Sequence, residues 1–494
     1  MPLYAASLVG GSPSTGVQRQ TRAKPTPLSG PPARCASLLG LVAPSRRGSR
    51  WTRAHAERLL LWRAGFGATP KEIDFWADRS RERAIDWLVH GGRGPHGTRR
   101  MVGPAPRANV KPLDPINEWG HDMLWWLDKM VRSQRPLQEK LTLFWHDHFA
   151  TRDEDAPLML AQNRKLRQHA LGTFPSLLSA ITTDPAMQSF LSLVDSDKSD
   201  PNENYARELM ELFTLGVTGG YTEHDVREAA RALTGFKGNY HDGRPLTIAY
   251  VVERHDDGPK RLLGQRGRLN WQDVLRIVVS HRSHAPFLVS KLWSFFITEP
   301  LPPSTRRRLA RTYVSSHHRI APVIREILAS RALYADLQDP KMVKWPIVQL
   351  AGNLRMVGRG VDTDSWTWVS DMMGQRPFSP PSVAGWDWGP AWMSTATMRA
   401  RFLCATYVTK DPPVAVKKGT IDPTWKPAEH VERARAATGR PWTSPTTDRQ
   451  LLALARRFLS TNVKPGAEVP EYQAELTQSA LRHLLLSGPD ACLH

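Results

Sequence analysis

The stretch 203-ENYARELMELFTLG-216 carries Leu209, Leu212 and Phe213 on one side at helical spacing, with Gly216 as a natural stop. After the turn 218-TGGY-221, Thr222 can cap a second helix, 223-EHDVREAARALTGF-236. The same 3.6-residue period recurs outward in both directions. Two helices are predicted within 53–90, separated by a Gly-rich turn; Thr69, Pro70 and Glu72 form the start signal of the second. A basic Pro/Gly loop follows over 91–113, then helices over 114–149, 157–171 and 174–182. Further helices are expected over 271–280, 284–298, 303–355, 395–407 and 447–488. The segment 239–269 is the least helical, with a hairpin around 246-LTIAYVV-252.

These patterns predict a mainly α fold: a single large multi-helical domain over 53–488, with a small β-hairpin and long irregular loops. Alternating strands are too few for a Rossmann, barrel or sandwich architecture, and there is no internal repeat of solenoid strength. Residues 1–52 hold no acid, the first being Glu57, and read as a flexible basic N-terminal arm. Residues 408–446 read as an exposed insertion.

With 494 residues the chain is long enough for a sizeable core. Its 18 Trp against 14 Phe and 9 Tyr favour saccharide faces, interfaces and cores alike. A formal charge of +20 suits an anionic polymer or envelope surface. The positive charge is spread in short clusters such as 93-RGPHGTRR-100, 305-TRRRLARTY-313 and 399-RAR-401, without zinc-finger spacing, so no specific nucleic-acid partner is expected. Cys35, Cys404 and Cys492 are too few for a disulfide scaffold. No run reaches the roughly 18 apolar residues of a membrane span, so no transmembrane segment is expected. The opening MPLYAASLVGGSPSTG lacks a basic region before its apolar patch and is a poor signal peptide.

Three segments could carry chemistry. In 143-LFWHDHFATRDEDAP-157, His146 and His148 diverge by about 200° on a regular helix and meet one ion only if the helix frays. Otherwise one is a core histidine and the other a surface group, while Asp153, Glu154 and Asp155 read as a solvated loop or helix start. In 202-NENYARELMELF-213, Glu203, Arg207 and Glu211 recur at i, i+4 and i+8, beside Asn204 and Glu208. That is either an exposed ladder of ion pairs or a buried cluster in which Arg207 keeps the carboxylates ionised. In 255-HDDGPK-260, His255, Asp256 and Asp257 offer imidazole and oxygen ligands, or simply an Asx-Gly turn; 240-YHDG-243 repeats the composition. HExxH, GxSxG, Walker and dinucleotide-binding signatures are absent.

Several segments, RAGFGATPKEI, WHDHFAT, PNENYARELMELFTLGVTGGYTEHDVREAARALTGF, HDDGPK, HAPFLVSKLWSFF and PFSPPSVAGWDWGPAWM, resemble the bacterial family called domain of unknown function 1800. Members are often exported and encoded beside a second family with export signals. The resemblance therefore implies an envelope or secreted location and a partner protein encoded nearby, while the N-terminus leaves a cytoplasmic one open. It also singles out His146, His148, Asn202, Glu203, Asn204, Arg207, Glu208, Glu211, His255, Asp256 and Lys260, with His148 the better of the two histidines.

The leading expectation is an envelope-associated or secreted enzyme acting on a glycan or related polymer, anionic or neutral. Its catalytic candidates are His148, Glu203, Arg207, Glu208 and Glu211; its substrate-binding candidates are Asn204, Tyr205, Lys260, Trp386 and Trp388. A hydrolase would use Glu208 or Glu211 as proton donor. A lyase on an acidic sugar would use Tyr205 or His148 as base, with Arg207 and Asn204 neutralising the carboxylate. A metal-dependent version would place a divalent metal on His146, His148, His255 and Asp256. The competing class is a non-catalytic polymer-binding or envelope assembly protein.

Overall fold

The computed structural model describes residues 60–77, 79–194, 196–241, 244–338, 341–409, 419–421, 463–465, 483 and 486–494. The expected arm over 1–52, and most of the expected insertion over 408–446 and of the helix over 447–488, lie outside the described residues.

Helices dominate, and the strands form only two-stranded sheets, as the periodicity predicts. Local chemistry sets many of the helix ends. Glu72 N–H donates to Thr69 Oγ1 at 3.3 Å while Glu72 Oε2 accepts from Thr69 N–H at 2.7 Å, opening the Pro70–Ala77 helix. Thr222 and Asp225 form the same reciprocal box at the start of Glu223–Leu233. The helical region over 114–149 is two helices, His121–Arg132 and Pro136–His148, broken where Pro136 removes a backbone donor. The region over 303–355 divides into Pro303–Ser315, Ile320–Leu328, Arg331–Gln338 and Pro346–Met356. Asp184 caps a short helix, Pro185–Phe190, by accepting from Met187 N–H.

The hairpin begins earlier than predicted: Phe236–His241 pairs antiparallel with Arg244–Tyr250, with Phe236 opposite Tyr250. A second small hairpin joins Lys260–Leu262 to Gln265–Gly267.

One apolar core runs through the described helices. Its largest wholly buried rings include Trp126, Trp145, Trp293 and Trp366, so much of the tryptophan excess serves packing. Pro136–His148 runs through this core with Leu141, Phe144, Trp145, His146 and His148 all buried. Against it pack Ala156–His169 and His121–Arg132. The most consequential departure lies in 203–216. The helix is α only over Asn204–Glu208 and widens into a π turn over Leu209–Thr214. That turn shifts the register assumed by the i, i+4, i+8 line and redirects the carbonyls at its end.

Candidate active site around His148

His146 and His148 diverge around the C-terminal end of their helix, as a regular helix requires. His146 Nε2 accepts from Phe378 N–H at 3.1 Å, and its ring is enclosed by Trp126, Phe378 and Trp386. Burial lowers its pKa to about 3, so the ring stays neutral. His148 is 2% exposed. Its Nε2 lies 3.0 Å from the Phe213 carbonyl, which can only accept; the ring proton therefore sits on Nε2. Among the described residues, Nδ1 is a buried lone pair that meets no hydrogen-bond donor. The two histidines thus hold opposite tautomers, each chosen by the backbone group it meets.

The π turn supplies His148's partner. Leu215 and Gly216 N–H both donate to the Met210 carbonyl, at 2.9 and 3.1 Å, closing the widened turn. The Phe213 carbonyl faces His148, and the Thr214 carbonyl accepts from His284 Nδ1–H at 3.0 Å. His284 Nε2 in turn accepts from the Tyr313 hydroxyl at 2.9 Å. Gly216, at φ 84°, lies under the Phe287 ring; a Cβ there would stand 2.9 Å from it.

Asp147, between the two histidines, reaches the Trp-rich loop. Its Oδ1 accepts from Trp386 N–H at 2.8 Å and its Oδ2 from Trp388 Nε1–H at 3.0 Å. Gly385 makes this approach possible: at φ 84°, any Cβ would stand 2.4 Å from Asp147 Oδ1. Burial pushes the Asp147 carboxyl up to about 6, against the two donors and the positive charge of Lys291. Lys291 is half-buried on His284–Phe296, one turn beyond Phe287. Its ammonium is 5.6 Å from the centre of the Phe287 ring, which is 6.5 Å from the His148 ring. Burial lowers the Lys291 pKa and Asp147 opposes that shift. Burial first, and the Lys291 charge second, hold His148 well below the usual histidine range.

The other sequence candidates take different places. Glu203 pairs with Arg207 at 2.9 Å, and Arg207 binds both oxygens of Glu223 at 2.8 and 2.7 Å. All three side chains are partly or largely solvent-exposed, so this is the ladder of ion pairs rather than a buried cluster. Asn204 is exposed, and its N–H donates to Asn202 Oδ1 at 2.9 Å. Glu208 and Glu211 are half-buried and lie near Tyr221, whose phenol is raised by burial and then by the Glu211 charge. Tyr205 is wholly buried and bonded to Thr182 Oγ1 at 2.7 Å; burial raises its pKa and fits it for packing, not for the base role proposed for a lyase. Arg207, committed to Glu203 and Glu223, is likewise no free carboxylate neutraliser.

The 255–260 turn closes on itself. His255 Nδ1 meets the Thr234 carbonyl at 3.0 Å, Asp256 pairs with Arg231 at 2.7 Å, and the buried Lys260 ammonium binds the Asp256 and Gly258 carbonyls. His146, His148, His255 and Asp256 are each engaged separately. Among the described residues no group of three or more His, Cys, Asp or Glu could hold a metal ion, so the expected metal set is not assembled. Trp386 and Trp388 serve Asp147 and, for Trp388, the Trp345 and Phe295 rings, which makes them anchors of their loop rather than open stacking platforms.

Sequence reasoning passed over Asp147 and Lys291. A signal for both existed: Lys291 is the one lysine or arginine in the largely apolar 284-HAPFLVSKLWSFF-296, and Asp147 is the one acid in 141-LTLFWHDHFA-150. A charge isolated in an apolar helix must find a partner inside the fold.

Residues 59–491 match the family model described as protein of unknown function (DUF1800). The chain belongs to this family. No curated protein and no solved structure matches it. In this DUF1800 protein, the 201–236 signature contributes to the His148 centre through a backbone carbonyl, while its Glu203 and Arg207 side chains bond to one another and to Glu223.

Proposed function

We propose that this protein is an enzyme of the cell envelope or exterior that acts on a glycan or related polymer by proton transfer, with His148 as the proton acceptor. The observation that supports this most directly is the buried Nδ1 of His148, which no described residue partners and whose tautomer is locked by the Phe213 carbonyl. A base needs a lone pair held in a fixed direction, and the π turn provides that without a second side chain. Burial keeps the imidazole neutral and its lone pair unprotonated while lowering its basicity, so the proton it takes would have to be an acidic one. Lys291 would stabilise negative charge developing beside it, and Asp147 would keep that ammonium protonated. The half-buried Phe287 ring packs 6.5 Å from the imidazole, so substrate entry beside it would need that ring to swing aside. The exterior setting rests on the family resemblance, and the net charge of +20 suits an anionic polymer.

The test is turnover on a panel of acidic and neutral glycans, following both new reducing ends and unsaturated products. His148→Gln is expected to lower the rate by about 10²- to 10⁴-fold with folding intact. An unchanged rate would remove His148 from the chemistry. A non-catalytic, polymer-binding reading is favoured by a different feature: Trp119 is 73% exposed, with Arg376 4.8 Å over its ring and Ile116 and Val110 also exposed. On that reading Trp119→Ala abolishes polymer retention and His148→Gln changes nothing.

A further inference from the structure

Two groups beside Phe287 lack what they need. Lys291 presents an ammonium with three donors in a half-buried position, yet no described residue forms an ion pair or hydrogen bond with it. Asp147 is the carboxylate whose charge it senses, but both Asp147 oxygens already accept, from Trp386 N–H and from Trp388 Nε1–H. His148 shows the converse, an acceptor at Nδ1 to which no described residue donates. The Phe287 ring borders both groups, 5.6 Å from the ammonium and 6.5 Å from the imidazole ring. Such a pair fits a ligand that carries an anionic oxygen and a hydroxyl hydrogen on one small frame. A neutral sugar could satisfy His148 but would bring no anionic acceptor to the three donors of Lys291, whose one nearby carboxylate is already engaged by Trp386 and Trp388. Acetate would satisfy Lys291 but bring no hydroxyl hydrogen to His148.

We infer that the residue bound at this centre is an acidic sugar, its carboxylate held by Lys291 while a ring hydroxyl donates to His148 Nδ1. This rests on the reading of His148 as the working group of the site, and it narrows the substrate class from glycans in general to uronate-containing ones. Lys291 takes over the part that Arg207 and Asn204 cannot play from the outer face of their helix. The aromatic side of Phe287 would face the sugar's apolar ring face.

The experiment measures binding of the full-length protein by calorimetry to tetramers of galacturonate, mannuronate and alternating glucuronate, to methyl-esterified tetragalacturonate, and to maltotetraose. At least one uronate tetramer is expected to bind. Its affinity should fall tenfold or more on methyl esterification and in both Lys291→Met and Lys291→Gln, and partly recover in Lys291→Arg. Circular dichroism of each variant separates lost binding from lost fold. The inference is overturned if no uronate tetramer binds, if maltotetraose binds as well as the acids, or if both neutral Lys291 variants keep full affinity while folded. The underlying enzyme reading fails separately. Lys291-dependent uronate binding with no turnover sinks catalysis and keeps the recognition, whereas His148-dependent turnover of maltotetraose keeps catalysis and sinks the acidic substrate.

Discussion

The Arg207 network and the His148 centre stand at opposite ends of one short helical segment, and they treat charge in opposite ways. Glu203, Arg207 and Glu223 are close together, partly solvated and fully paired. Asp147, His148 and Lys291 are sparse, largely enclosed and incompletely paired. Charge density along a sequence therefore marks the face where water makes charge cheap. At the enclosed His148 centre, by contrast, each charged or polar group is expensive, and His148 Nδ1 meets no donor among the described residues.

Substitutions can break that contrast or sharpen it. The largest structural effect is expected at Asp147. Asp147→Ala would strand Trp386 N–H and Trp388 Nε1–H and release the 385–388 loop, costing about 3 kcal/mol; urea denaturation measures it. A loss below about 1 kcal/mol would mean the loop is held by ring packing alone.

The next effect is a dependence on pH. His146, at about 3 in the fold against 6.5 ordinarily, and His284, at about 4, are depressed by burial. Their contribution is fully present above pH 6.5 and lost as the pH falls through the folded values, because the unfolded chain binds protons the fold refuses. Asp147 runs the other way. Raised from 3.8 to about 6, its contribution is greatest below pH 3.8 and declines as the pH rises through 6. Stability should therefore rise between pH 4 and 6, with the histidines outweighing the carboxyl. In Asp147→Asn the slope should steepen by about 1.4 kcal/mol per pH unit, one proton's worth. Denaturation midpoints at pH 4, 5 and 6 decide it, and an unaltered slope would mean that Asp147 is ionised throughout.

The smallest effect is expected at Arg207. Arg207→Gln should leave the thermal midpoint within experimental error, since its pairs are solvent-screened. A drop of several degrees would show that the network braces the π turn and would erase the contrast.

How much of this was legible follows from the range of each interaction. Most helices, the Thr69–Glu72 start, the Thr222 cap and the presence of a hairpin, though not its first strand, were readable because they depend on neighbours a few residues apart. The preference for His148 over His146 came from resemblance, and the divergence of the pair from helical geometry. The widening over Leu209–Thr214 was not readable. A π turn has no local composition that distinguishes it from an α turn, and here its redirected carbonyls are met by His148 and His284, 65 and 70 residues away. Trp386 and Trp388 looked like sugar platforms because indole rings carry no mark of what their N–H groups will meet.

Sequence by itself determined a mainly helical chain, its caps, its family and a short set of residues rich in polar atoms. Only the tertiary structure decided which of those atoms were already spent. It paired Arg207 with Glu223, closed the 255–260 turn on Arg231 and Thr234, gave the two histidines opposite tautomers, and set Lys291 beside an occupied carboxylate. The physical reason is that hydrogen-bonding capacity belongs to the residue type, whereas its satisfaction belongs to contacts between segments as far apart as Asp147 and Trp388, 241 positions along the chain.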